Sequence, residues 1–189
     1  NKYNKNYKVI LILAFLASFL LILPWVLISF IAQSSLIEYL PSATDEVGYW
    51  QSTSALILSG SNYGWKTINE IEAFFSWTRL GVHSPFIHYY WALYGKIFGW
   101  EYYSIVYANI VAIIASSFFI ILTNKNHLDK ALLSVTLILL SPLFIQYLLT
   151  SMQEVMHISI GMLAGGLMSV WLKTKNRSIY LVSILILVI

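Results

Sequence analysis

Three groups of side chains in this sequence have the types and spacing to do chemistry. Asp45 and Glu46 are adjacent carboxylates that follow the first long apolar run. Two such groups cost little in water, and Thr44 before them predicts a helix from Asp45 to Leu58 with acids in its first turn, where the helix dipole favours them. Helix capping therefore competes with acid–base work at this pair. Glu154, flanked by Met152, Val155 and Met156, is an ionisable residue at the edge of an apolar segment, a position that makes it a functional candidate. Ser151 and Glu154 also have capping-box spacing. Glu154 and His157 form one Glu-x-x-His pair, but di-metal carboxylate bundles use that motif twice with further glutamates, so a metal centre of that kind is not expected. The third group is cationic: Lys66, Arg79, His83 and His88, with Lys96 nearby. Such groups can hold a phosphate or meet lipid headgroups.

The elements that must position these groups follow from composition. Of 189 residues, 59% are hydrophobic, 16% aromatic and only 10% charged, against roughly 25% charged in a soluble domain. That is too little charge to coat a water-facing surface, so the chain is expected to be an all-α integral membrane protein. The absence of cysteine excludes disulfides, thiolate metal sites and a cysteine nucleophile. The net charge of +3 is explained by topology rather than by nucleic acid, which is not an expected partner. No Gly-rich nucleotide loop, HExxH or Gly-x-Ser-x-Gly element occurs.

A membrane-crossing helix needs about 20 mostly apolar residues. Residues 9–32 meet that length without a charge, with Pro24 tolerated as a kink, and the run is too long for a cleaved signal peptide. Further apolar stretches lie near 102–122, 131–149, 155–172 and 178–189. Pro142 is expected to end the regular part of the 131–149 stretch early. The Gly161-x-x-x-Gly165 spacing is expected to serve helix packing. With the N-terminus cytoplasmic, eight of the 11 basic residues fall inside and seven of the eight acids outside, as the positive-inside rule requires. Five spans of a multi-pass cell-membrane protein, forming one transmembrane module over 1–189, is the expected topology. The chain reads as the N-terminal part of a longer one.

The outer loop, 33–101, is too long to be a mere connector and holds more than half of the chain's Tyr and Trp residues. Rings with a polar edge settle at headgroup level. Within it, Phe86, Tyr90, Leu93 and Ile97 recur at helical spacing, Pro85 suits a first helical turn and Gly99 a helix end. An interfacial helix over 85–98 is expected, leading into the second span.

The order of these features resembles the N-terminal module of GT-C glycosyltransferases, such as protein O-mannosyltransferases and lipid A aminoarabinose transferases. The stretches that carry the resemblance are Asp45-Glu46-Val47-Gly48-Tyr49, residues 81–99 with His83-Ser84-Pro85 leading the surface helix, then Ser141-Pro142 and Met152-Gln153-Glu154. The resemblance implies a membrane enzyme that moves a sugar from a polyprenyl-phosphate donor at the extracytoplasmic face. Asp45 matches the family's first-loop aspartate, the implied general base, with Glu46 beside it. Lys66, Arg79 and His83 are then the nearest cations for the leaving phosphate, with Tyr49 and His88 lining the substrate. Glu46 and Glu154 would orient the acceptor, or Asp45 and Glu154 would share a divalent metal, the one cofactor implied. The rival reading is a non-catalytic membrane scaffold or lipid-binding subunit, in which the acids are caps and the aromatics a belt. A transporter is disfavoured, because every acid lies at an edge or in a loop rather than in mid-span.

Overall fold

The computed structural model describes residues 44–59, 85–101, 103–141 and 152–188, with single positions between 9 and 31 and at 144, 147 and 150. The described residues are helical, without a strand. Six helices follow in order: α1 (Thr44–Ser59), α2 (Pro85–Phe98), α3 (Ser104–Thr123), α4 (Leu128–Leu139), α5 (Glu154–Thr174) and α6 (Arg177–Val188).

The helix boundaries have local causes. Pro85 opens α2, where its missing N–H is no loss. Gly99 closes it at φ 96°, a left-handed conformation a side chain disfavours, and its N–H donates to the Gly95 carbonyl at 2.9 Å. Both boundaries fall where the sequence places them, and α1 likewise begins at the expected acids. The Ser104 hydroxyl knots the short turn into α3, accepting from the Glu101 N–H at 2.8 Å and donating to the Gly99 carbonyl at 3.2 Å. Lys175 at φ 54° ends α5, its N–H donating to the Trp171 carbonyl, and the Asn176 side chain accepts from the Ser178 N–H to open α6.

Only α3 and α5, of 20 and 21 residues, are long and apolar enough among the described residues to cross a membrane, spanning about 30 Å each. The remaining expected spans are described only in part. α4 stops at Leu139, as expected from Pro142, which biases the residue before it away from helical geometry; the described Phe144 and Tyr147 are again helical. α6 has 12 residues and reaches about 18 Å. Of residues 9–32, the described positions Val9, Ile12, Phe15, Leu16, Leu20, Leu23, Leu27 and Ile31 are helical and exposed.

α3 packs along α5, and α5 along α6. Between α3, α4 and α5 lies a mainly aliphatic interior: Ile113 and Ile121 of α3 meet Val135 and Leu139 of α4, Phe144, and Val155 and Met162 of α5. The glycine that permits the close approach is Gly166, where a Cβ would stand 2.7 Å from the Phe119 ring. Gly161 and Gly165 are exposed, and a Cβ at either would meet nothing within 4 Å. The expected packing pair therefore faces away from the other helices, since one residue turns a helix by about 100°.

Candidate functional site

α1 and α2 pack against each other through faces that helical periodicity assembles. On α1, Glu46, Tyr49 and Thr53 recur at three and four residues; on α2, Ile87, His88, Trp91 and Gly95 do the same. All of these are buried. Across the seam, Thr53 Oγ1 and His88 Nδ1 are hydrogen-bonded at 3.0 Å. The His88 ring meets Trp91 edge-on at 5.5 Å, and Tyr49 leans on both rings at 5.9 Å. Such aromatic pairs add about 0.5–1.5 kcal/mol each beyond burial.

The seam continues into α3 and the residues that lead into α5. Trp91 Nε1 donates to Asn109 Oδ1 at 2.9 Å, and Asn109 Nδ2 donates to the Met152 carbonyl at 3.0 Å. The Tyr90 hydroxyl donates to the Ala108 carbonyl at 2.8 Å. Burial and the neighbouring Tyr94 push the Tyr90 hydroxyl up to about 12, so it remains the donor this bond requires. Trp100 stacks on Trp50 at 6.4 Å, covers Gly95, and donates from Nε1 to Ser54 Oγ at 2.7 Å. Trp50 Nε1 in turn donates to the Glu101 carbonyl at 3.3 Å. These rings fasten three helices together, which is more than a headgroup belt would require.

Each residue singled out in the sequence has a definite standing. Glu46 is 2% exposed and Tyr49 and His88 are equally enclosed, so His88 belongs to the α1–α2 seam rather than to an open cationic surface. Asp45 lies in the first turn of α1; its side chain, like all of Lys66, Arg79 and His83, falls outside the described residues. Glu154 is the first residue of α5, whose N-cap position is Gln153 and carries no side-chain cap. That register does not produce the expected Ser151–Glu154 capping box. Glu154 Oε2 is instead buried without a hydrogen-bond partner, an arrangement that costs about 1–3 kcal/mol or more for a charged group. His157, one turn on, is exposed. The described residues do not gather three His, Cys, Asp or Glu side chains into a metal-binding set.

Tyr49 of α1 and Met156 of α5 belong to one packed cluster, with Trp91, Ile105 and Ile160, and Met152 lies against it. The cluster thus links α1 and α5 through the helices between them, with Tyr49 three residues after Glu46 and Met156 two after Glu154. Three members were not singled out in the sequence: Thr53, Trp91 and Asn109. Asn109 carries the signal that finds them, because an amide inside an apolar span needs a partner on another helix.

No family model, curated protein or solved structure matches this chain.

Proposed function

We propose that this chain is the N-terminal module of a membrane glycosyltransferase of the GT-C kind, which moves a sugar from a polyprenyl-phosphate donor to an acceptor hydroxyl at the extracytoplasmic face. The observation that supports the reading is the packed cluster shared by α1, α2, α3 and α5, in which Tyr49 of α1 and Met156 of α5 both take part. Tyr49 lies three residues after Glu46 and Met156 two after Glu154, and Glu46 shares the first turn of α1 with Asp45.

In this reading Asp45 takes the proton from the acceptor hydroxyl as that oxygen bonds to the anomeric carbon. The bond from that carbon to the phosphate oxygen breaks, and the polyprenyl phosphate leaves with the electron pair. The leaving group is already anionic, so it needs cations more than a general acid; Lys66, Arg79 and His83 fill that role. The buried, unpartnered Glu154 Oε2 is an acceptor without a donor, which an acceptor-substrate hydroxyl supplies. Glu46, Tyr49 and His88 act as the wall that holds this region in shape.

The reading includes five spans with a cytoplasmic N-terminus. Lys173 Nζ donates to the Thr123 carbonyl, so the basic turns after α3 and α5 sit side by side at one end. Glu101 and Glu154 stand at the opposite ends of those helices, in keeping with the positive-inside rule.

Replacing Asp45→Asn tests the chemistry. Transfer from polyprenyl-phosphate sugar in isolated membranes is expected to fall by at least about 100-fold, with expression and thermal unfolding unchanged. Undiminished transfer would remove Asp45 from the mechanism.

A further inference from the structure

At the junction of α2 and α3 lies a cleft of about 330 Å³ that belongs to none of the groups above. Its size is at the lower end of small-ligand sites, which begin near 300 Å³. Its walls are the rings of Tyr94, Phe98, Trp100, Tyr103 and Tyr107, with Glu101 at the rim. Tyr94 and Phe98 lean together at 4.8 Å.

The polar groups of the wall are mostly committed elsewhere. The Trp100 indole N–H is given to Ser54, and the Ser104 hydroxyl to the Gly99 carbonyl. The Glu101 backbone is used by Ser104 and Trp50, while its side chain is exposed. What remains is the aromatic groups of Tyr94, Phe98, Tyr103 and Tyr107 and the Glu101 carboxylate; no Lys, Arg or His is among the lining residues, so the lining suits a cation better than an anion.

The local charge balance has the same sign. The C-terminal end of α2 contributes about −0.5 charge and the N-terminal end of α3 about +0.5, so the two helix ends cancel and the Glu101 carboxylate decides. Lys96, the basic residue in the last turn of α2, is exposed and does not line the cleft.

We infer that this aromatic cleft binds an organic ammonium group, held by cation–π contact with its rings and by the Glu101 carboxylate. The inference stands apart from the glycosyltransferase reading. Two sources can supply such a group at the outer end of α3: the headgroup of a zwitterionic lipid, or a free quaternary amine.

The test uses tetramethylammonium and saturation-transfer NMR on the full chain in non-ionic detergent. Saturable transfer is expected, undiminished by equimolar sodium chloride. Glu101→Gln should weaken binding roughly tenfold; the known hydrogen bonds of Glu101 are made by its backbone, so the fold is retained. Tyr107→Leu should weaken it about fivefold, while Tyr107→Phe, which keeps the ring, should stay within about twofold. Absence of saturable transfer, equal affinity in Glu101→Gln, or Tyr107→Phe as weak as Tyr107→Leu would each overturn the inference. Lipid nanodiscs then separate the sources. Loss of the tetramethylammonium signal in phosphatidylcholine discs but not in phosphatidylglycerol discs identifies the lipid headgroup, and an equal signal in both identifies a soluble amine.

Discussion

The two packed clusters of this molecule are built on different principles. The one joining α3, α4 and α5 is mainly aliphatic, with Ile113, Ile121, Val135, Leu139 and Met162 packed around Phe144 and one long contact from the Ser116 hydroxyl to the Met162 sulfur at 4.0 Å. The one joining α1, α2, α3 and α5 sets the rings of Tyr49 and Trp91 among aliphatic neighbours, with Trp50, Tyr90, Tyr94 and Trp100 packed against them, and hydrogen bonds from Trp91, Tyr90 and Asn109 tie it together. Between apolar helices in lipid there is no hydrophobic drive to associate, so close fit has to supply the attraction. In the second cluster, directional bonds from aromatic N–H and O–H groups can do what fit alone cannot, by fixing one arrangement among several of similar burial.

That contrast can be broken most forcefully at Asn109. Asn109→Leu removes the acceptor of the Trp91 indole and the donor to the Met152 carbonyl, and the expected loss is about 2–3 kcal/mol in denaturant unfolding in micelles. Trp91→Phe on top of it should restore part of that loss, because the orphaned N–H disappears. Equal losses in the single and double variants would show that the amide is not the fastening.

The aliphatic cluster is probed by two neighbouring glycines. Gly166→Ala puts a methyl group against the Phe119 ring and should cost about 1–2 kcal/mol by overpacking. Gly165→Ala enters open space and should change stability by no more than about 0.5 kcal/mol. A reversal of that order would mean that the outward face of α5 is the packed one.

The smallest expected effect is a pH window. The Tyr90 hydroxyl is held up to about 12 in the fold against about 10 when unfolded. Between those values the unfolded chain loses a proton that the fold keeps, so stability falls as pH rises above 10 and is unaffected below it. Tyr90→Phe should cost about 1 kcal/mol at neutral pH by removing the bond to Ala108, and should flatten the alkaline slope measured by thermal unfolding. An unchanged slope would place the titration elsewhere.

What the sequence makes legible divides along the same line. Pro85, Gly99 and the acids at 45 and 46 act through their own turns, so the starts of α1 and α2 and the end of α2 can be read locally. The lengths of α3 and α5 follow from unbroken apolar runs. The partner of Trp91 lies 18 residues away and that of Thr53 lies 35 residues away, and nothing local fixes such pairings. His88 shows the consequence: its type and outer-side location point to an open cation, yet its helical phase, shared with Trp91, turns it into the seam. The Gly161–Gly165 spacing misleads for a related reason. A small-residue motif states that a face is flat, not which face meets a neighbour; Gly166 does the packing. Glu154 is legible as a candidate, but its register is not, because the first turn of α5 is set by the tie from Asn109 to Met152.

The five residues between α2 and α3 also have a mechanical meaning. Gly99 and Ser104 close that elbow, and Tyr90 and Trp91 brace it further along, so α2 cannot swing independently of the helix it leads into. Its 14 residues form an arm of about 21 Å. A change of 10° in the tilt of α3, of the size that a thicker or thinner bilayer imposes, therefore sweeps the far end of that arm by about 4 Å, and carries α1 with it as the passenger of a lever.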